Sequence, residues 1–400
     1  MNVVLTTPTW SLNGPNVFSA NLARSLIRRG LSAEIVLTRP DWVDFKPLPR
    51  PGDIPVRELP LSRRFLSACE RWETMRQYLE ARSPCVYFPN HDFSHSCISP
   101  ALSARVAICG IAHSDDPQHY EHVGRLGQFW NSVVAVSMAI GARIEQQFPF
   151  LAPRLSVISY GVPLPESPCV RPPVRRALRA IYAGRLDQSQ KRVLDLPPIM
   201  QAAADLGIPV ELTVAGGGPE QESLQRAFRD ACQYATVQFV GTLDADRMGE
   251  VYAEHDVFLS TSAFEGLPLG LIEAMGRGCV PLVTDLRSGI PEVIQHGVNG
   301  FVCKAGDATG FARHLRILHD APDTRAEMAL RAWETVDSRF RLETMTDRYV
   351  SLCERILSER FVRPAGTIRL SPSAPRTELL PGPVQMLGHC AGDLSRFLRR

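Results

Sequence analysis

The sequence predicts an α/β protein of two domains, each built around a mostly parallel sheet. Short apolar runs alternate with helix-period patterns along most of the 400 residues, and this alternation is typical of parallel sheets covered by helices. A proline-rich stretch without periodicity, residues 161–177, separates two such series. Because interdomain linkers commonly have this composition, the stretch is predicted to join the two domains.

The first domain is predicted to span residues 1–160. It opens with the apolar strand Asn2–Leu5 and a turn around Gly14, and a helix then runs from Phe18 to Gly30. Further patterns predict strands at 33–37, 85–88, 106–109, 132–136 and 156–158, with helices at 64–82 and 137–147. Residues 39–63, rich in proline and arginine, and residues 114–130 are predicted to be loops.

The second domain is predicted to span residues 178–345. Its patterns predict strands at 180–183, 210–214, 237–240, 257–259, 280–283 and 301–302, and helices at 198–206, 220–234, 244–255, 269–277, 307–320, 323–337 and 342–360. The C-terminal helix, over residues 346–362, is expected to pack back toward the first domain. Residues 363–400, where proline, serine and arginine are frequent, are predicted to be a disordered tail.

Composition restricts the functional class. The formal net charge is +2, so no strong field favours nucleic acid. The ten cysteines are scattered, and no signal-peptide pattern or run of 18 apolar residues occurs, so a soluble, cytoplasmic protein is predicted. The basic residues Arg171, Arg175, Arg176 and Arg179 are predicted to be solvated surface. The alternative is peripheral contact with anionic lipid headgroups at the inner face of a membrane.

Residues 256–302 combine strand, loop, helix and strand in the order of a βαβ unit, whose ligand side lies at the carboxyl ends of the strands. Glu265 lies in the loop and Glu273 about one turn into the helix, so both are predicted to face one ligand. Paired carboxylates accept hydrogen bonds from sugar and ribose hydroxyls, although Glu273 taken alone is equally a solvated helix residue. Gly266 and Gly270 permit close backbone approach, and the helix start suits an anion.

Two more loops carry residues suited to a diphosphate. Arg185 and Lys191 follow a strand and lie six residues apart, where two cations can neutralise a diphosphate. The run Gly216-Gly217-Gly218 follows the next strand and permits a close backbone approach to a ligand. Taken alone, an arginine–lysine pair in a loop is usually solvated surface, and the glycines are equally consistent with a tight strand-to-helix connection.

Together, the ordered motifs GRL…K, GGGPE, EGLPLGLIEAMGRG and VNGFV resemble the retaining glycosyltransferases of family 4 (glycosyl transferases group 1), which adopt the GT-B fold. The resemblance covers nearly the whole of residues 1–345, and Glu265 and Glu273 match the family's E-x₇-E arrangement. It implies two Rossmann-like domains facing an interdomain cleft, with a nucleotide-sugar donor held mainly by the second. The family often has Gly-Gly where this chain has Asn13-Gly14.

The resemblance also implies roles for the matching residues. Arg185 and Lys191 would grip the diphosphate, Glu273 the ribose hydroxyls and Glu265 the transferred sugar. His113 falls where the family has an active-site histidine, so the implied catalytic residues are Glu265, His113, Arg185 and Lys191. The other implied donor-binding positions act through the backbone, and these are Gly14, Gly216, Gly266, Leu267, Pro268 and Leu269.

The implied chemistry needs cations at the departing diphosphate. Arg185, Lys191 and helix N-terminal amides would stabilise its negative charge, so no essential divalent ion and no cofactor besides the nucleotide-sugar co-substrate is expected. The Asp244-Ala245-Asp246 triplet opens a helix, and Asp244 is therefore predicted to be an N-cap instead of a metal ligand. For retention, the resemblance implies that the leaving phosphate deprotonates the acceptor on the same face of the sugar.

Five histidines between residues 91 and 122, with interleaved aspartates, raise the alternative of a metal hydrolase. No tight ligand spacing occurs there, so His91, Asp92 and His113 are instead predicted to line the cleft and bind the acceptor or donor sugar. The acceptor is open between glycan, lipid-linked and small-molecule hydroxyls. Two other functions also stay open: a nucleotide-sugar epimerase of the same fold, and a catalytically silent binding module.

Overall fold

The computed structural model describes residues 1–11, 13–39, 50–59, 61, 68–169, 171–173, 176–231 and 236–366, without the side chains of residues 68, 231 and 246. The chain forms two compact units. Unit 1 comprises Met1–Ala135, Gly141–Val157 and the described chain from Thr346, and unit 2 comprises Val136–Ile140 and Ile158–Met345. Much of the predicted loop 39–63 and nearly all of the predicted tail 363–400 lie outside the described residues.

Unit 1 is built on a parallel sheet. Its strands are β1 (Asn2–Thr7), β2 (Ser32–Leu37), β3 (Val56–Glu58), β4 (Cys85–Phe88), β5 (Val106–Ala112), β6 (Ser132–Ala135) and β7 (Leu155–Val157). They lie in the order β3-β2-β1-β4-β5-β6-β7, and every neighbouring pair is parallel. The helices that carry unit 1 residues are α1 (Gly14–Arg28), α2 (Ala68–Glu80), α3 (Pro117–Leu126), α4 (Met138–Gln147) and α12 (Leu342–Ser358).

Unit 2 is built on a second parallel sheet. Its strands are β8 (Leu178–Ala183), β9 (Val210–Ala215), β10 (Thr236–Gly241), β11 (Val257–Ser260), β12 (Val280–Thr284) and β13 (Phe301–Cys303), in the order β10-β9-β8-β11-β12-β13. Its helices are α5 (Leu196–Asp205), α6 (Gln221–Ala231), α7 (Ala245–Ala253), α8 (Leu269–Gly276), α9 (Ile290–Val293), α10 (Ala308–Asp320) and α11 (Pro322–Arg339). Within the described ranges, no helix is both long enough and apolar enough to cross a membrane.

Both sheets have buried strands, as expected when helices cover both faces of a parallel sheet. Every residue of β5 and of β12 is buried. The largest buried side chains include Trp130 and Tyr87 in unit 1 and Tyr182 in unit 2. The apolar runs in the sequence are therefore strands that lie inside each unit.

The strand order reverses once in each sheet, and these points locate the expected ligand sites. In unit 1 the chain places β2 and β3 on one side of β1, then β4 to β7 on the other; in unit 2 it places β9 and β10 on one side of β8, then β11 to β13 on the other. Ligands bind outside the carboxyl ends of strands at such reversals. The relevant loops are therefore those after β1 and β4, and those after β8 and β11.

Two regions predicted as loops contain regular structure. Within 39–63, Val56–Glu58 forms the edge strand β3, which pairs with β2; three residues are too few to show a period in the sequence. Within 114–130, Pro117–Leu126 forms α3, and the side chain of Asp116 caps it by accepting from the backbone N–H groups of residues 118 and 119. An aspartate followed by proline is a helix-start signal that the loop prediction missed.

The predicted linker, 161–177, belongs to unit 2. The N–H of Val162 donates to the carbonyl of Phe340 (2.9 Å), and the N–H of Leu342 donates back to Val162 (3.1 Å). Gly161 packs so tightly here that a Cβ atom would lie 2.7 Å from the Arg341 carbonyl oxygen. Described residues of this stretch therefore pair with residues far along the chain, and such pairing leaves no local pattern in the sequence.

Unit 2 also takes Val136–Ile140 from the predicted first domain. The N–H of Ala139 donates to Glu292 Oε1 at 3.1 Å, and a Cβ atom on Gly289 would lie 3.2 Å from Ser137 Cβ. At the other boundary, chain from Thr346 onward belongs to unit 1. There Tyr349 packs its ring against Phe18 and Phe88.

The basic run near residue 175 is organised around a buried carboxylate. Asp256 is only 2% exposed and pairs with Arg171 (Nε–Oδ1, 3.1 Å) and Arg176 (Nη1–Oδ2, 3.0 Å). It also accepts a hydrogen bond from the N–H of Arg179 (3.0 Å). The prediction of solvated surface is therefore wrong for Arg171 and Arg176, whose charges neutralise Asp256, while Arg175 lies outside the described residues.

The predicted disordered tail begins with an anchored arginine. Arg363 donates from Nε to the Phe129 carbonyl (3.0 Å) and from its terminal nitrogens to the carbonyls of Leu102, Ser103 and Val106. Burial lowers the pKa of its guanidinium to about 10. The disorder prediction is therefore wrong at residue 363, because composition does not reveal a side chain that fits a set of backbone acceptors.

Replacing Arg363 with alanine is expected to destabilise unit 1 by about 2–3 kcal/mol, because several buried carbonyls lose a charged donor. Urea unfolding followed by circular dichroism measures the change. Arg363→Lys should recover little of it, since an ammonium cannot reproduce the planar fork. The matched control is Arg360→Ala at an exposed position, and equal losses in both alanine variants would contradict the anchoring role.

Candidate active site

The loop after β8 is organised by the carboxylate of Asp187. Its Oδ1 accepts from Gln190 N (2.8 Å), Ser189 Oγ (3.0 Å) and Lys191 N (3.4 Å), and its Oδ2 pairs with Arg185 Nε (2.7 Å). Burial disfavours the charge, but the hydrogen bond from Gln190 and the charge of Arg185 outweigh it, so the pKa of Asp187 is lowered. One carboxylate thus holds the Arg185 guanidinium and the backbone at Lys191.

The loop after β11 brings a second carboxylate to Lys191. Lys191 Nζ lies 2.5 Å from Glu265 Oε1, and Ser262 Oγ donates to the same oxygen at 2.6 Å. The hydroxyl of Thr261 also donates to the Lys191 carbonyl (2.9 Å). Glu265 is only 6% exposed. The switch point between β8 and β11 therefore brings together Lys191 and Glu265, two of the predicted catalytic residues.

Arg185 lies at the solvent boundary of the same loop. Its side chain is 38% exposed, whereas that of its partner Asp187 is 7% exposed. The hydroxyl of Tyr182, a buried residue of β8, donates to the Arg185 carbonyl at 2.8 Å. The ion pair at Nε and the hydrogen bond to the Arg185 carbonyl therefore fix this residue from inside the protein. The outer face of the guanidinium is exposed to solvent.

The glycine of the loop after β9 is explained by packing. Gly216 has φ +138°, and a Cβ atom there would lie 1.9 Å from the Gly184 carbonyl oxygen. Its N–H donates to the Gly241 carbonyl at 2.7 Å. The tight strand-to-helix connection accounts for glycine at this position. A contact between Gly216 and the nucleotide-sugar donor therefore stays a prediction.

Helix α8 starts with open backbone donors. Pro268 is its N-cap residue, and among the described residues no side chain caps this start, so the first N–H groups are available to an anion. Leu267 and Leu269 are 3% and 7% exposed, and the Gly266 carbonyl accepts from Gly289 N at 2.7 Å. The two leucine side chains thus face inward, which leaves the backbone as the part of this loop that can meet a ligand.

Glu273, on α8, is not a solvated helix residue. It is partly buried, and burial raises the pKa of its carboxyl to about 7, while the positive charge of Arg277 opposes the rise. Its negative charge in turn contributes to raising the pKa of buried Tyr252. A carboxyl held in such an unfavourable place is typical of a functional site.

The unit 1 candidates lie at the reversal point of the first sheet. Asn90 donates to Pro15 O (3.1 Å) and Ser19 Oγ (2.7 Å), so its Oδ1 is left to accept from His113 Nε2 at 2.5 Å. Burial, reinforced by nearby histidines, lowers the pKa of His113 well below its usual value. A Cβ atom on Gly14 would meet nothing within 4 Å among the described residues. A neutral histidine and an open glycine therefore occupy this part of unit 1.

The histidine-rich region forms a buried cluster around Phe93, whose ring contacts those of His91, His119 and His122. Asp92 is fully buried and pairs with His95 at 2.9 Å, so the prediction that Asp92 lines a cleft is wrong. Within the described part of the chain, no three acidic, histidine or cysteine side chains are grouped to hold a metal ion. Asp244 caps α7 by accepting from Arg247 N, which confirms the N-cap prediction.

Sequence reasoning missed Asp187 and Ser262, the two residues that orient the predicted site. An aspartate two positions after Arg185 and a serine three before Glu265 were visible signals, because short polar side chains in such loops commonly bond nearby backbone and side-chain groups. The partners of both residues are local, whereas the pairing of Lys191 with Glu265 depends on the strand order.

Residues 177–334 match the family model of glycosyl transferases group 1. This part of the chain is similar to the glycosyl transferases group 1 family. It contains the loops after β8 and β11, and therefore Arg185, Lys191, Glu265 and Glu273.

Curated relatives match over less than half of this chain. The chain is 34% identical over 172 residues to the N-acetyl-alpha-D-glucosaminyl L-malate synthase of Bacillus anthracis, covering 42% of this chain and 43% of the relative. It is 31% identical over 189 residues to the lipopolysaccharide 1,6-galactosyltransferase of Escherichia coli, covering 44% of this chain and 50% of the relative. The matches thus span about half or less of these relatives.

Solved structures extend the likeness to most of the chain. Anabaena HepE in complex with UDP-glucose is 18% identical, with a TM-score of 0.71 over 89% of this chain and 100% of that one. The pneumococcal O-GlcNAc transferase GtfA in complex with UDP and GlcNAc is 11% identical, with a TM-score of 0.70 over 90% and 99%. The fold class is confirmed: two parallel-sheet α/β units of the GT-B type.

The raised pKa of Glu273 predicts a pH-dependent cost in the ligand-free protein. A carboxyl with a pKa of about 7 in the folded protein and 4.5 in an unfolded chain binds more protons in the folded state between these values, so the free energy of unfolding falls as pH rises through that window. Glu273→Gln should therefore match the parent near pH 4 and exceed its free energy of unfolding by about 3 kcal/mol at pH 8. Urea titrations across this pH range test it, and a pH-independent difference would contradict it.

Proposed function

We propose that this protein is a retaining glycosyltransferase of family 4. It transfers a hexosyl group from a nucleoside-diphosphate sugar to a hydroxyl acceptor in glycan, polysaccharide or glycolipid biosynthesis. The observation that carries the proposal is the ion pair between Lys191 and Glu265, which joins the loops after β8 and β11 at the carboxyl edge of the unit 2 sheet. Arg185 lies in the first of these loops and Glu273 in the helix that follows the second, and all four residues fall in the region that matches the glycosyl transferases group 1 model. Relatives named as glycosyltransferases of lipopolysaccharide and amylovoran biosynthesis support the pathway class.

The charges of these residues suit the proposed bond cleavage. The bond between the anomeric carbon and the β-phosphate oxygen breaks, and its electron pair leaves with the diphosphate. Arg185, Lys191 and the open N–H groups of α8 stabilise that negative charge. This cationic set fills the role that a metal ion has in other transferases, so the proposal requires no divalent ion and no further cofactor.

The two glutamates suit the sugars of the donor. Glu273 accepts hydrogen bonds from ribose hydroxyls. These hydrogen bonds stabilise the negative charge of a carboxylate that is poorly solvated in the free protein. Glu265 accepts from hydroxyls of the transferred sugar. The acceptor oxygen forms the new bond on the face that the diphosphate leaves, and its proton passes to the departing phosphate oxygen, which retains the anomeric configuration.

Unit 1 supplies the remaining proposed groups. Gly14, where a side chain would meet open space, gives backbone N–H groups room to approach a phosphate. Because His113 is neutral and hydrogen-bonded to Asn90, it is proposed to bind the substrate as a polar uncharged group.

Release of nucleoside diphosphate from a panel of UDP, GDP and ADP sugars, with acceptor hydroxyls supplied, tests the proposal. Arg185→Ala should lower kcat/KM by about 100-fold or more, because a donor to the transition-state charge is lost. The matched control, Arg179→Ala, removes a half-exposed side chain from β8 in the same unit and should leave the rate unchanged. Equal rates for Arg185→Ala and the parent would refute the site, and donor binding without turnover would indicate a silent binding module.

Asp187→Asn should raise the KM for the donor about tenfold, because Arg185 and the backbone at Lys191 lose their shared anchor. The substitution keeps the size of the side chain, so circular dichroism should show an intact fold. Asp205→Asn, at an exposed aspartate on α5, is the control and should leave KM unaltered. A fall in kcat alone, at constant KM, would show that Asp187 does not position the diphosphate-binding cations.

A further inference from the structure

The lysine that the proposed function assigns to the diphosphate is paired with a carboxylate of the protein itself. Lys191 Nζ and Glu265 Oε1 are 2.5 Å apart, and their side chains are 23% and 8% exposed. Ser262 Oγ donates to the same carboxylate oxygen at 2.6 Å. The positive charge of Lys191 is thus largely neutralised by Glu265.

We propose that Glu265 competes with the nucleoside diphosphate for Lys191, and that this competition weakens product binding once the sugar has been transferred. The inference rests on the proposed function and adds a step to it. Glu265 then does more than contact the sugar, because its pairing with Lys191 depends on whether the donor sugar is present.

The argument is electrostatic. A diphosphate that approaches Lys191 must share the ammonium with Glu265 and lies close to a second negative charge. In a partly buried site this repulsion is weakly screened, so it is stronger than between the same charges in water. Binding of a free nucleoside diphosphate therefore carries an energetic penalty that arises from Glu265.

A bound nucleotide sugar removes this penalty because its hydroxyls are hydrogen-bond donors. Hydroxyls of the sugar donate to Glu265 and partly replace Lys191 as its partner, so Lys191 can turn to the phosphate. After transfer the sugar leaves with the acceptor, and Glu265 loses these hydroxyls. It then re-forms the ion pair with Lys191, and the diphosphate is held less tightly.

Ser262 keeps Glu265 in position for this exchange. Its hydroxyl donates to the oxygen that also pairs with Lys191, so the carboxylate stays beside the lysine during the exchange. Ser262 acts through Glu265 and is a positioning residue. Its removal should give a smaller effect of the same sign as removal of the Glu265 charge.

Calorimetric titration of the full chain with UDP, GDP and ADP, in the absence of any sugar, tests the inference. For whichever diphosphate binds the parent, Glu265→Gln should bind it about five- to tenfold more tightly, because a partly buried charge pair no longer competes. Ser262→Ala should tighten binding by a smaller factor. Glu211→Gln, at a glutamate of β9 whose side chain is 53% exposed, is the control and should leave the Kd unchanged.

Lys191→Ala separates the inference from the proposed function. If it weakens diphosphate binding while Glu265→Gln leaves the Kd unchanged or raises it, the competition is refuted and the proposed function stands. If the parent binds none of the three diphosphates, or Lys191→Ala binds as tightly as the parent, the assignment of Lys191 to the diphosphate is refuted, and the competition with it.

Discussion

The four hydrogen bonds and ion pairs made by Asp187 are the constraint on which the unit 2 site depends. They fix the Arg185 guanidinium and the backbone at Lys191 in one loop conformation. Lys191 then reaches Glu265 in the neighbouring loop. The order of β8 and β11 in the sheet makes this possible, because it places the two loops side by side at one edge. The strand order therefore brings together Lys191 and Glu265, two catalytic candidates that are more than 70 residues apart in the sequence.

Partly or fully buried carboxylates occur both among the candidate site residues and at structural positions of unit 2. Asp256 is neutralised by Arg171 and Arg176, and these partners join distant parts of unit 2. Glu265 is paired with Lys191 and accepts a hydrogen bond from Ser262. Glu273 lies where burial disfavours its charge. The three carboxylates therefore differ in how their charge is compensated within unit 2.

Much of the fold could be predicted from sequence because buried parallel strands are continuous apolar runs. Val257–Ser260 and Val280–Thr284 are examples, and the helix between them starts at Leu269 as its spacing indicates. Arg185, Lys191, Glu265 and Glu273 could be named as candidates because their motifs are local, and their roles stay predictions. The strand β3, the place of residues 161–177 and the partners of Arg171 and Arg363 were not readable, since each depends on contacts between residues far apart in the chain.

Gly216 and Gly14 differ in what a substitution would reveal. At Gly216 any side chain would collide with the Gly184 carbonyl, so a mutational scan there reports on backbone packing, whatever the ligand. At Gly14 a Cβ atom would meet nothing within 4 Å among the described residues, so an alanine there adds bulk without a clash at Cβ. A substitution at position 14 therefore reports on whatever lies beyond the protein's own packing.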